Sequence, residues 1–368
     1  MTRIEVAPDA AGLDAALDAV PDGPAVFLLE PREGEPYLAR TALLRRRLRR
    51  LLGERARPSR FLNLRHTVVR VAYEPTGSAF ESAVRLYELA REHFPQNYLE
   101  RLKLRMPPYI KIALNNPFPR STVTTQLTRG PAAWFGPFRA RSTAERFESE
   151  FLDLFQMRRC LEELAPSPAH PGCIYGEMGM CLRPCQQVVG PDEYGHEVAR
   201  VREFLSTGGR SLLTAIAAAR DRLSEELQFE EAARQHKRYE KVEQVLALGD
   251  EMARDLDRLD GLAVTSSLAP GAVELWPVRA GWWCGRRRLG FEVVEGKPVS
   301  LDRRLREVLA SIEAPRLAVR QRQEYLALLA RWYYSSWREG EWIAFYGWDH
   351  IPYRRLVHAI SRVAHAAA

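Results

Sequence analysis

Four of the five cysteines, Cys160, Cys173, Cys181 and Cys185, fall within 26 residues, and no other feature restricts this chain so strongly. Twelve, seven and three residues separate them. Disulfide scaffolds are built by short secreted chains. This chain has 368 residues and no charged start followed by an apolar run and a cleavage site, so a cytoplasmic, reducing setting is expected. Clustered thiols there, on a loop carrying Gly172, Gly176, Gly179 and Pro184, point to a soft metal centre. Structural zinc favours knuckles with about two to four residues between cysteines. Only Cys181 and Cys185 fit that spacing. The wider gaps favour an iron–sulfur cluster, of the 4Fe–4S type first, with zinc as the alternative. The plainer reading is four buried, reduced cysteines, which the Pro, Gly and Met neighbours do not favour.

The length calls for two or three domains. No apolar run is long enough to span a membrane. A net charge of +7 and a pI near 9.3 suit a polyanionic partner. Ala25–Leu29 and Pro36–Arg40 read as two short strands around the turn Arg32–Glu35. Leu43, Leu44, Leu48, Leu51 and Leu52 then recur at helical spacing among Arg45, Arg46, Arg47, Arg49 and Arg50. With Arg40, this basic face can neutralise DNA phosphates. A solvated helix side is the equally weighted alternative.

The run Leu154–Cys160, with Arg158-Arg159-Cys160, then Gly172–Tyr175 and Met180–Cys185, resembles the cysteine region of UvrC, the nicking subunit of bacterial nucleotide excision repair. The resemblance implies an iron–sulfur cluster between an N-terminal GIY-YIG nuclease domain and a helical hairpin. It also implies a metal-assisted phosphodiester hydrolysis in which tyrosine positions water and arginine offsets phosphate charge. The nuclease set is kept only in part. Tyr37 matches the second tyrosine and Arg47, ten residues on, the arginine. Phe27 replaces the first tyrosine, and Ala25 and Ala39 replace glycines. Leu86 stands where the metal-binding glutamate is expected, with Glu81 and Glu88 nearby but out of register. A divalent ion requires oxygen donors. The expectation is therefore a weak or inactive nuclease that binds DNA, using magnesium or manganese only if activity remains. A divergent endonuclease is the first alternative, and an iron–sulfur protein-interaction module the second.

Further motifs follow in the family's order. Pro107–Ile112 and Pro117–Arg120 are similar to the segment after the nuclease core, and Trp134–Phe138 to its Phe-Gly-Pro turn. A helix is expected over 142–157, with Ser142 as N-cap and Glu145 completing a capping box. Helices are expected over 192–206 and 211–248, the latter broken near Leu227–Glu230. There Leu227, Phe229, Glu230 and Ala233 are similar to the UVR motif, a hairpin through which UvrC and UvrB pair. His236 and Lys237 depart from its usual arginine and aspartate. Beyond Arg254, short strands within 261–294, helices over 301–311 and 320–337, a strand over 342–346 and a helix over 352–363 complete the pattern.

The fold class expected is mixed α/β and multidomain. A degenerate GIY-YIG-like α/β domain occupies 1–105, and a linker with the cysteine loop 106–190. A UVR-like helical hairpin follows over 191–250, and a C-terminal α/β or α+β domain over 251–368. That last part ends before an RNase H-like nuclease site can form. Cys284, in an aromatic strand, reads as a packing residue.

Overall fold

A computed structural model describes residues 1–6, 10–54, 62–291, 293–294, 297–298, 300–313, 315 and 318–366. Glu292, inside an expected strand, lies outside the described residues.

The first unit contains β1 (Thr2–Glu5), α1 (Ala10–Asp18), β2 (Ala25–Pro31), β3 (Tyr37–Thr41), α2 (Leu44–Leu52), β4 (Val68–Pro75) and α3 (Ala79–His93). Its strands pair antiparallel in the order β1-β4-β2-β3. β2 begins Ala-Val-Phe-Leu-Leu because it is central and covered on both faces. Phe27 and Leu29 join Leu13, Leu17, Leu44 and Leu48 beneath α1 and α2, and α3 packs against β2 and β3. The expected hairpin is present, with Leu29 opposite Tyr37 and Phe27 opposite Ala39. α2 buries Leu44, Leu48, Leu51 and Leu52, as an amphipathic helix should.

The chain continues through α4 (Tyr98–Leu102), β5 (Tyr109–Ala113), β6 (Ser121–Thr124), β7 (Ala132–Gly136), α5 (Arg141–Leu152), α6 (Ile174–Glu177), α7 (Pro191–Ser206), α8 (Arg210–Glu225), α9 (Phe229–Leu246) and β8 (Arg254–Asp255). The second sheet has the order β6-β5-β7-β8. It shares a core of Phe135, Phe147, Phe151, Tyr194 and Phe204 with the helices. At the end of β7, Gly136 adopts φ +145°, and a Cβ there would stand 2.9 Å from the Tyr109 ring. Glycine is therefore required in the Trp134–Phe138 turn.

Two details of α5 correct the expectation. Its N-cap is Ala140, and Ser142 lies inside the helix. Glu145 instead accepts from Arg141 at 2.7 Å, so the capping box does not form. The helix also stops at Leu152, before Met157, and reaches Cys160 through an irregular segment. By contrast, α8 and α9 form the expected hairpin around Glu226–Gln228, with Leu227 at φ +58°.

The third unit contains β9 (Asp260–Ser266), β10 (Ala272–Arg279), β11 (Trp282–Trp283), β12 (Arg287–Gly290), β13 (Val293–Val294), β14 (Lys297–Pro298), α10 (Leu301–Ala310), α11 (Val319–Tyr333), β15 (Glu341–Phe345) and α12 (Tyr353–Ala366). Its sheet runs β11-β10-β9-β15, with β12 also on β10. α10 and α12 cover one face, where Cys284 packs with Leu275, Leu289 and Leu356. α11 lies against the other face. It ends at Tyr333 rather than Trp337, because the chain folds back and Trp332 donates to the Glu339 carbonyl at 3.0 Å. The fold is thus mixed α/β, with three principal antiparallel sheets.

The decisive packing is that of α11. It is wedged between the third sheet and α3, so that Phe80, Val84 and Tyr87 share one core with Trp276, Trp283, Leu326 and Trp332. Phe80 stacks on Trp332, with ring centroids 4.9 Å apart. The aromatic residues of the third unit are core residues first: Trp276, Trp283 and Trp332 are buried.

Candidate functional site

A slot opens between β3, α3, α4 and α11. It is lined by Tyr37 and Arg40 from β3, Leu86 from α3, Arg101 from α4 and Leu328 and Arg331 from α11. Arg47 donates from α2 to the Tyr37 hydroxyl at 3.0 Å. Phe27 is fully buried, 6.1 Å from the Tyr37 ring centre, and contributes packing. The Tyr37 side chain packs with Phe27 and Ala39 on the α1/α2 face of the sheet, whereas Leu38 faces α3 and α11, so Arg47 does not line the slot, and among the described residues no carboxylate lines it either.

The two alternative acids are engaged elsewhere. Ser78 caps α3, its Oγ accepting from the Glu81 N–H at 3.0 Å. The Glu81 carboxylate returns to the Gly77 N–H at 2.7 Å and pairs with Arg286. It is 3% exposed. Glu88 takes Arg85 at 2.5 Å, and Arg85 also holds Glu74 at 2.9 Å. Neither acid lines the slot. The Ser78-x-x-Glu81 spacing is a capping signal that the sequence offered, although Glu81 reaches the N–H of Gly77, one residue before the cap, rather than that of Ser78.

The arginines expected on one DNA-facing surface divide into two groups. On α2, Arg45 donates to the Val20 carbonyl at 2.6 Å and Arg49 pairs with Asp18, while Arg46 and Arg50 are exposed. Arg40 lies apart, in the slot. It donates to the Ala79 carbonyl at 3.2 Å and sits 5.9 Å from the Trp337 ring centre. Loss of water beside α11 and the neighbouring Arg331 charge both lower its pKa, burial being the larger cause, although the side chain keeps solvent contact.

All four clustered cysteines border one small cavity with Arg158, His170 and Tyr175, and none forms a disulfide. Arg158 is 2% exposed. It donates to the Cys160 sulfur at 3.3 Å and to the carbonyls of Phe118 and Glu162. The Arg183 N–H points at the Cys181 sulfur at 3.4 Å. Burial raises the Cys181 and Cys185 thiol pKa values, and the facing cysteines add to this. His170 is occupied, its Nδ1 accepting from the Gly172 N–H at 3.0 Å. Among the described residues no three of His, Cys, Asp and Glu are grouped closely enough to hold a single ion.

The root of the α8–α9 hairpin is buried through Ile216, Val242 and Val245. Its tip projects, with Leu227 72% and Phe229 63% exposed. Glu230 and Ala233 are also exposed, while Ala232 turns inward. The motif residues therefore lie on the free end. Among the described residues no helix is long and apolar enough to cross a membrane.

Residues 107–204 match the family model described as UvrC/Cho excinuclease, middle domain. Proteins named UvrABC system protein C are similar over a longer span. That of Lachnospira eligens is 24% identical over 287 residues, 77% of this chain and 47% of the relative. That of Desulforudis audaxviator is 28% identical over 273 residues, 74% of this chain and 44% of the relative. For Ruminiclostridium cellulolyticum the identity is 23% over 305 residues, 81% and 49%. The chain therefore spans about half the length of the curated relatives it matches. No solved structure matches.

Proposed function

We propose, for a chain that is UvrC-like, a role in excision-type DNA repair in which the GIY-YIG-like unit grips DNA without cutting it. The observation that carries this reading is Leu86. It lines the slot with Arg40 and Arg331, at the position where the family resemblance calls for the hard oxygen ligand of metal-assisted hydrolysis. The nearest acids on the same helix, Glu81 and Glu88, are committed to Arg286 and Arg85. Tyr37 and Arg47 keep a geometry suited to contacting a phosphate, and the exposed arginines of α2 extend a basic surface beside them.

For the cysteine cavity we favour an iron–sulfur cluster, with zinc second. Four unoxidised thiols around one space suit a thiolate-bound centre. The twelve- and seven-residue gaps between the first three cysteines suit a polynuclear core better than a single tetrahedral ion. Cys160, Cys173, Cys181 and Cys185 would hold it, and the N–H groups reaching Cys160 and Cys181 would tune it. Such a centre would supply structural bracing where the irregular loop meets α7. The exposed hairpin tip at Leu227 and Phe229 suits pairing with a UvrB-type partner helix.

The test is nicking of supercoiled plasmid by anaerobically purified protein with manganese, alongside Arg47→Ala. No nicking, with salt-sensitive DNA binding retained, is the expected result. Nicking that disappears in Arg47→Ala would overturn the non-cutting role.

A further inference from the structure

The slot beneath α11 carries positive charge that its surroundings do not balance. Arg101 is neutralised by Glu35. Arg40 has a carbonyl and an aromatic ring as neighbours, and among the described residues neither Arg40 nor Arg331 has an ion-pair partner. Both guanidiniums are exposed at the pocket mouth, where water screens part of their repulsion and a bound anion would remove it. The rest of the lining is apolar, with Leu38, Leu86, Phe94, Leu102 and Leu328. The cavity, about 370 Å³, falls within the roughly 300–1,000 Å³ typical of small-ligand sites.

We infer that this slot binds a nucleotide bearing a terminal phosphate, without a metal ion, using Arg40 and Arg331 for the phosphate and the apolar wall for the base and sugar. A phosphomonoester carries about −1.5 to −2 charge at neutral pH, which matches two guanidiniums, whereas a phosphodiester within a strand carries only one. α11 roofs one side of the slot, which favours the end of a strand over its middle. Leu86 contributes by what it lacks, because a carboxylate there would pair with the arginines and repel phosphate. Arg331 comes from the opposite end of the chain, so the site exists only once α11 has docked on α3. Two sources share this chemistry, a free nucleoside monophosphate and the phosphorylated end of a strand. The second rests on the DNA-binding reading above.

The test uses the full chain in the presence of a chelator and three internally labelled single strands of one sequence: 5′-phosphorylated, 3′-phosphorylated and unphosphorylated. One phosphorylated strand is expected to bind about tenfold more tightly than the unphosphorylated one. Arg331→Ala and Leu86→Glu should each bring that ratio to near one. Both side chains face the slot, so unfolding midpoints can check that the fold survives. The wild-type comparison needs no variant. Competition with deoxyadenosine monophosphate identifies the source. Displacement at micromolar concentration assigns the free nucleotide, and resistance to millimolar concentration with the strand preference intact assigns the strand end. Equal binding of all three strands overturns the slot assignment while leaving DNA binding standing. If no strand binds, the DNA reading falls, and direct titration with the mononucleotide decides the slot: binding keeps it and no binding removes it.

Discussion

Glu324 on α11 accepts a 2.6 Å hydrogen bond from the hydroxyl of Tyr87 on α3, 237 positions away in the chain. The other oxygen of the same carboxylate takes the Tyr98 hydroxyl at 2.7 Å. Glu324 is 1% exposed and is charge-paired through Arg320 at 2.9 Å. This clasp joins α3 and α4 to the helix that packs on the third sheet.

Glu324→Ala should therefore leave two buried hydroxyls without acceptors. The expected loss is about 2 to 4 kcal/mol, read as a lower denaturant midpoint. Tryptophan emission should change with it, because Trp283 and Trp332 lie in the same core. A loss well under 1 kcal/mol would mean that the apolar packing around Phe80 holds the two units together unaided.

Stability should fall steeply in alkali. Burial raises the pKa of Tyr87, Tyr109 and Tyr334 well above the ordinary tyrosine value. The stabilising contribution is complete below the unfolded value of about 10. Above it the unfolded chain releases protons that the folded chain retains, so unfolding is favoured as pH rises. Each such tyrosine should contribute a slope of about 1.4 kcal/mol per pH unit. Cys284, pushed up to about 11 by burial, has the same sign. Denaturant midpoints measured between pH 9 and pH 11, with Tyr87→Phe showing a shallower fall, check this.

Arg47→Ala should weaken DNA binding without changing sequence preference. Losing one phosphate contact should reduce the slope of log affinity against log salt by about 1. A salt titration of duplex binding measures it, and an unchanged slope would place the DNA elsewhere.

Anaerobically purified protein should contain iron and acid-labile sulfide and absorb visible light. Cys181→Ser should lose both and unfold at lower temperature, since a bound centre stabilises only the folded state. Zinc in a colourless preparation would replace the cluster with the second reading.

The slot was half legible. The family resemblance singled out Tyr37, Arg47 and Leu86, and local periodicity put them on a strand and two helices, as found in β3, α2 and α3; which of them face the slot was not readable from spacing. Arg331 and Glu324 left no comparable signal, because both lie in a helix whose pattern reads as ordinary amphipathic core. The basic α2 surface was legible as a helical face, but not which of its arginines are held by neighbours. Pairing of Arg45 and Arg49 with the end of α1 depends on how α1 and α2 pack.

By itself the sequence determined the hairpin, the leucine face of α2, the cysteine loop and the break at Leu227. Each depends on side-chain periodicity or turn chemistry acting over a few residues. The tertiary structure alone decided where α11 lies. Its burial against α3 is driven by apolar area, which is non-directional and specifies no partner from local pattern. That docking makes a roofed, arginine-lined slot on the α3 side of the first sheet, and it brought Glu324 and Arg331 to residues more than two hundred positions earlier.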